Sequence, residues 1–398
     1  MNKDFVNHLA WTSDHPLGLE IASAEGPFLY LKNGDTLIDF ISGIAVSSIG
    51  HRHPSVLHAV RSQLDAHLHV MVYGEFIQLP QVEYARNLTG ILPPSLDCVY
   101  FTMSGTEANE GALKLAKKYT GRTRMIAFEH SYHGDTHGSL SVTGREVYQK
   151  PFRPLLSDVF FLPYGDFDAL SLIDQQVACV IAEPIQGEGG MRVPPQKWFA
   201  TLRARCSDAG ALLILDEIQT GFGRTGHNFA FEYEEIVPDI LTLAKAMGGG
   251  MPLGAFVSSK EIMQTFRRDP PLSHVTTFGG HPVSCAAANA TLDVLINEQL
   301  SDRASVLEDH IRLKLKHPLI CDLRGRGAMI GLELPSPDIA QKVVQSCLEH
   351  GVLLGWTLHS GTVIRIAPPL NISLEVLSVA LEIILTALQK VEDSNHCI

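Results

Sequence analysis

Lys245 follows the apolar run DILTLA and precedes Ala-Met-Gly-Gly-Gly-Met-Pro-Leu-Gly. Three successive glycines let the backbone turn tightly and pass close to a bulky group. A lysine kept from bulk water beside a cationic ring is easier to deprotonate, so its free amine can form an imine and later shuttle protons. Asp216 ends another apolar run, LLILD. A carboxylate there is costly to desolvate without a cationic partner. A protonated pyridine nitrogen is such a partner, and the ionised Asp would hold it protonated in return. That proton turns the ring into an electron sink for a carbanion, the central requirement of pyridoxal-phosphate chemistry. Ser104-Gly105-Thr106 closes a third run and opens a helix, where backbone N–H groups and the positive helix end can receive a phosphate. Each residue has a plainer reading alone: a solvated lysine, an Asp that caps a turn, a Thr106 helix cap with Asn109 in the first turn.

The elements that must carry these residues are short unbroken apolar runs: 98–103, 124–129, 158–163, 178–184, 211–217, 239–244 and 254–259. Such runs flanked by turn residues read as strands buried on both faces, hence an α/β fold with a largely parallel central sheet. Polar groups follow five of them in succession: SGTEAN, HSYHG, EP, DE and Lys245. Open α/β sheets bind ligands just beyond the carboxyl ends of their strands, so these five points define one candidate site. In 106–118, Ala108, Ala112, Leu115 and Ala116 share a helical face. The C-terminal third mixes helices expected at 282–298, 301–316, 337–350 and 373–391 with single strands around 323–334 and 362–368, a smaller α+β unit. FLYLK, NGD and TLIDF read as a hairpin adding to that unit. The expected division is 1–50 as an N-terminal segment of the small domain, 51–285 as the large cofactor-binding domain and 286–398 as the small domain.

Gly221-Phe-Gly223-Arg-Thr-Gly226 matches the dinucleotide fingerprint G-x-G-x-x-G, the one basis for an NAD-dependent oxidoreductase. That fingerprint should follow its strand directly and open a helix. Here residues 216–220 intervene and no helical stripe follows, so the glycines are expected to shape a loop.

The 398 residues are 45% hydrophobic and 19% charged, with a formal net charge of −12. That excludes disorder and argues against nucleic acid or an anionic membrane as partner. The first residues lack the apolar core of a signal peptide, and a cytoplasmic location is expected. Seven dispersed cysteines (98, 179, 206, 285, 321, 347, 397) with no C-x-x-C pair fit buried reduced thiols. The 18 histidines show no metal-binding spacing; HRH (51–53) and HSYH (130–133) read as surface or core residues, and no metal is expected.

LDEIQTGFGRTG (215–226) followed by LAKAMGGGMPLGA (243–255) resembles the signature of the class III pyridoxal-phosphate aminotransferases, the group that includes the acetylornithine, ornithine and 4-aminobutyrate enzymes. The resemblance runs nearly end to end, through 34–54, SGTEANEGALKLAK (104–117), EPIQGEGG (183–190), TTFGGHP (276–282), 323–334 and VIRIAPPL (363–370). It implies fold type I of the pyridoxal-phosphate transferases. It implies that Lys245 carries the cofactor as a Schiff base, that Asp216 pairs with the pyridine nitrogen, and that Ile218 and Tyr132 cover the two ring faces. Gln219 would reach the phenolic oxygen, and Ser104, Gly105 and Thr106 the phosphate. Thr277 would reach the phosphate of a neighbouring subunit, which implies a homodimer with active sites at the interface. Arg365 would bind a substrate carboxylate, with Glu188 pairing to it when an ω-amine is presented. Three positions depart from the pattern. Asp135 stands where many relatives carry a basic residue, with Arg145, Lys150 and Arg153 as substitutes. Asp14 stands where ornithine-specific relatives have tyrosine, and His281 replaces an asparagine. The expected reaction moves the terminal amine of acetylornithine or a similar ω-amino acid to 2-oxoglutarate. The alternatives are 4-aminobutyrate or ornithine as donor, or an aminomutase or decarboxylase of the same family.

Overall fold

A computed structural model of the chain describes residues 2–72 and 74–396. The N-terminal part carries β1 (Ile21–Glu25), β2 (Phe28–Leu31) and β3 (Thr36–Asp39). Seven strands follow: β4 (Cys98–Thr102), β5 (Arg124–Phe128), β6 (Val159–Leu162), β7 (Val177–Ala182), β8 (Leu212–Asp216), β9 (Ile240–Leu243) and β10 (Gly254–Ser258). The C-terminal part carries β11 (Asp322–Arg326), β12 (Met329–Glu333), β13 (Val352–Leu353), β14 (Gly355–Thr357) and β15 (Ser360–Ile366).

All seven apolar runs of the middle region are strands of one sheet, ordered β4-β10-β9-β8-β7-β5-β6. Strands β9, β8, β7, β5 and β6 pair in parallel, whereas β10 runs against both β9 and β4. Only residues 244–253 join β9 to β10, too few for the crossover a parallel neighbour needs, so the chain folds back beside the strand it has just left. Helix Gly105–Thr120 covers one face; Ala108, Ala112, Leu115 and Ala116 are fully buried, as their spacing predicts. Gly111 is required there, since a Cβ would lie 2.3 Å from the Phe256 ring.

The expected N-terminal hairpin forms, with Phe28 opposite Ile38 and Tyr30 opposite Thr36, and β3 pairs in parallel with β13. The stretch 323–334 is two strands rather than one. Gly327 at φ +60° turns the chain between β11 and β12, because a left-handed residue cannot continue a strand. The division drawn at 285/286 falls inside the continuous helix Pro282–Asn297, which packs on helices Pro54–Ala66 and Leu79–Gly90. Of the expected buried thiols, Cys179, Cys206, Cys285 and Cys347 are buried; Cys98 is half-buried and Cys321 exposed. Cys397 lies outside the described residues. Among the described residues no helix is long and apolar enough to cross a membrane.

Candidate active site

A cavity of about 730 Å³ opens at the carboxyl ends of the parallel strands. Ser104, Gly105, Thr106, Tyr132, Asp216, Ile218, Gln219 and Lys245 all line it, so eight of the sequence-derived candidates converge. Asp216 ends β8 as a buried carboxylate. Its Oδ2 accepts Asn109 Nδ2–H at 2.8 Å and His133 Nδ1–H at 2.7 Å, while Oδ1 accepts the Ile218 amide at 3.1 Å. Asn109 also donates to the His133 carbonyl at 2.8 Å, so the helix after β4 and the loop after β5 jointly fix the carboxylate. Such charge-assisted bonds hold a side chain more firmly than neutral ones.

Lys245 follows β9 with φ +50°, a left-handed conformation for a residue with a side chain. That costs roughly 1–2 kcal/mol. Burial lowers the pKa of the Lys245 amine, with Arg365 adding to the effect and Glu188, Asp216 and Glu183 opposing it.

Tyr132 and Ile218 form two walls. Tyr132 OH donates to Asp135 Oδ2 at 2.8 Å, and burial together with that carboxylate pushes the phenol pKa up. Ile218 lies so close to Gly105 that a Cβ there would sit 2.8 Å from it. Ser104, not Thr106, caps the helix: its hydroxyl accepts the Glu107 amide at 3.3 Å. The hydroxyl of Thr106, two residues further in, lies 2.7 Å from Thr136 Oγ1, so it is placed by the loop after β5 rather than spent on capping. Gly134, at φ +124°, passes against Thr106 where a Cβ would be 2.4 Å from its hydroxyl.

Arg365 on β15 pairs with Glu188 Oε1, and both are buried. Neither lines the cavity; Gln219, which does, donates to Glu188 Oε1 at 3.4 Å and links the pair to the wall. Burial raises the Glu188 pKa, but Arg365, Lys245 and the Leu358 amide outweigh it and hold the carboxylate below its usual range. Thr277 is exposed and does not line this chain's cavity. Asp135 does line it, whereas Arg145, Lys150 and Arg153 do not; Arg153 pairs with Glu146. His281 caps helix Pro282–Asn297, accepting the Val283 amide at 3.3 Å, and stacks on His69.

Three residues inside the expected strand-end segments carry roles that the sequence did not single out. His133 and Asn109 grip Asp216, and Glu183 accepts the Tyr132 and Gly187 amides at 2.9 and 3.0 Å. Burial pushes the Glu183 carboxyl up to about 7, Asp216 adding to it while His133 and the two amides oppose. Glu183 directly follows β7 and His133 lies in the segment after β5, whereas Asn109 sits inside helix Gly105–Thr120. The Gly221–Gly226 stretch is a loop, as expected. It buries Arg224, which donates to the Ala328 and Pro368 carbonyls and to Ser48 Oγ.

The donor set fits pyridoxal phosphate. A carboxylate floor, an amine just past the adjacent parallel strand, a helix N-terminus with Gly105 and Thr106, and apolar and aromatic walls surround one cavity. Gln219 Oε1 is buried without a hydrogen-bond partner, a polar side chain not satisfied by protein alone.

The family model described as aminotransferase class-III matches residues 10–388. The chain is similar to an acetylornithine aminotransferase of Methanopyrus kandleri, 41% identical over 388 residues, covering 96% of this chain and 97% of that one. Among solved structures it is similar to the ornithine aminotransferase of Toxoplasma gondii ME49, at TM-score 0.91 and 32% identity, covering 98% of this chain and 94% of that one. A second structure of the Toxoplasma gondii enzyme, described with partial occupancy of pyridoxal phosphate at its active site, matches at TM-score 0.91 and 31% identity, covering 98% and 93%. With the family model spanning nearly the whole chain, and the walls, floor and lysine of its cavity at the expected strand ends, this chain belongs to the class III aminotransferases.

Proposed function

We propose that the chain transfers the terminal amine of acetylornithine, or of a similar ω-amino acid, to 2-oxoglutarate, working as a homodimer in the cytoplasm. The observation that carries the two-substrate reading is the buried Glu188–Arg365 pair beside the cavity wall. The donor rests on the likeness to the acetylornithine aminotransferases. Pyridoxal phosphate supplies the aldehyde that accepts an amine and the cationic ring that withdraws electrons from the adjacent carbon. Lys245 Nζ is the amine that would hold that aldehyde. With its basicity lowered by burial, Nζ would take the proton from the donor carbon and return it across the same cavity. Asp216 would hold the proton on the ring nitrogen, and His133, Asn109 and the Ile218 amide keep the carboxylate in place. Gln219 would reach the phenolic oxygen, and Tyr132 and Ile218 would confine the ring between them. Gly105 and Thr106 would hold the phosphate at the helix N-terminus, and Thr277 of a second copy would complete that cradle. Arg365 binds the α-carboxylate of the keto acid in a two-pronged contact once Glu188 turns aside. With an ω-amine in place, Glu188 closes on Arg365 and leaves no unpaired cation.

The test is single-turnover reaction of the holoenzyme with acetylornithine, succinylornithine, ornithine, 4-aminobutyrate and lysine, followed by 2-oxoglutarate. Acetylornithine is expected to show the highest kcat/KM. Failure of every ω-amino donor to convert the yellow cofactor would overturn the proposal.

A further inference from the structure

Glu188 is anchored by more than its arginine. Its Oε2 accepts the Leu358 amide at 2.8 Å, and its backbone carbonyl accepts the His359 amide at 3.0 Å. These two amides belong to the turn between β14 and β15, closed by Thr357 Oγ1 donating to the Ser360 carbonyl at 3.1 Å. The turn is fixed from outside. Tyr148, on the short helix Glu146–Gln149, donates its hydroxyl to the Leu358 carbonyl at 2.8 Å and stacks on the His359 ring at 5.1 Å. His359 is buried and donates Nδ1–H to the His130 carbonyl at 3.1 Å.

On the reading that a substrate carboxylate takes Arg365, Glu188 must give up its cation while still inside the protein. A buried carboxylate with no partner is strongly unfavourable. The Leu358 amide is the donor already in place on the oxygen that Arg365 does not hold, so it can keep that oxygen satisfied after the other is released. We infer that Tyr148 is a positioning residue for acceptor binding. It holds the Leu358–His359 turn so that the Leu358 amide stays on Glu188 when a dicarboxylate occupies Arg365. Tyr148 touches neither reactant in this scheme; it acts through the turn. Its effect is therefore on how easily Arg365 is vacated.

Tyr148→Phe keeps the ring and its stack on His359 and removes only the hydroxyl. The experiment is calorimetric titration of the holoenzyme with glutarate, a non-reacting five-carbon dicarboxylate. It compares the native chain, Tyr148→Phe, Glu188→Ala and the double variant. Loss of this one hydrogen bond predicts about three- to tenfold weaker glutarate binding in Tyr148→Phe. It also predicts no further change when the same substitution is made in Glu188→Ala, where no carboxylate needs the turn. Equal weakening in both backgrounds, unchanged binding or tighter binding in Tyr148→Phe would each overturn the inference. If the native chain fails to bind glutarate at all, the assignment of Arg365 as the carboxylate site falls first, and this inference with it.

Discussion

Replacing His133 with phenylalanine tests the floor of the site with little disturbance elsewhere. The imidazole is buried beneath Asp216, donates Nδ1–H to it at 2.7 Å, and has no hydrogen-bond partner at Nε2. Phenylalanine therefore preserves a flat buried ring and removes one interaction. A hydrogen bond to a charged acceptor contributes about 1.5–3 kcal/mol. If that whole amount is felt where charge develops on the cofactor ring, the half-reaction slows roughly 10- to 150-fold, at about 1.4 kcal/mol per factor of ten. The Asn109 and Ile218 bonds remain, so the loss should be smaller than that of Asp216→Asn. The assay is stopped-flow single turnover of the holoenzyme with an ω-amino donor, made in the native and Asp216→Asn backgrounds. The account predicts a large effect of His133→Phe in the first and almost none in the second. An equal loss in both would show that His133 acts by packing, and no loss in either would refute the reasoning.

Other perturbations follow from the same geometry. Gly134→Ala would set a Cβ 2.4 Å from Thr106 Oγ1 at φ +124°; apoenzyme titrations should show pyridoxal phosphate bound at least about tenfold more weakly, and unchanged affinity would separate Thr106 from the phosphate. Arg224→Leu leaves the Ala328 and Pro368 carbonyls and the Ser48 hydroxyl without their buried donor, so the unfolding free energy from urea titration should fall by about 3 kcal/mol or more. Because burial lowers the Lys245 pKa while the Glu188 charge raises it, capture of pyridoxal phosphate by the apoenzyme should gain its rising limb below the ordinary lysine range. Glu188→Gln removes a charge that favours the ammonium, so that limb should move to lower pH; an upward movement would contradict the assignment.

The strands of the large sheet were legible because each is an unbroken apolar run between turn residues, and the cavity followed from where their polar ends must meet. The direction of β10 was not, since the apolar run GAFVS looks the same in either orientation and only the short 244–253 connection decides it. The hairpin β11–β12 passed for one strand because apolar and small residues continue through the turn at Gly327. His133 was hidden for another reason: a histidine that grips a carboxylate and a histidine in a core share the same local pattern. The pair Glu188–Arg365 is separated by 177 positions, so no periodicity joins them; only the family resemblance singled them out. Asp135 was visible as a departure, and its place on the cavity wall with Tyr132 donating to it adds a negative charge where a basic residue was the expectation.

The amine that meets the aldehyde is the centre of the proposed chemistry. Holoenzyme treated with borohydride, digested and sequenced by mass spectrometry should carry the reduced pyridoxyl group on Lys245 and lose it in Lys245→Ala, which should still bind the cofactor non-covalently. A pyridoxyl group on any other lysine, or turnover near the native rate in that variant, would contradict it.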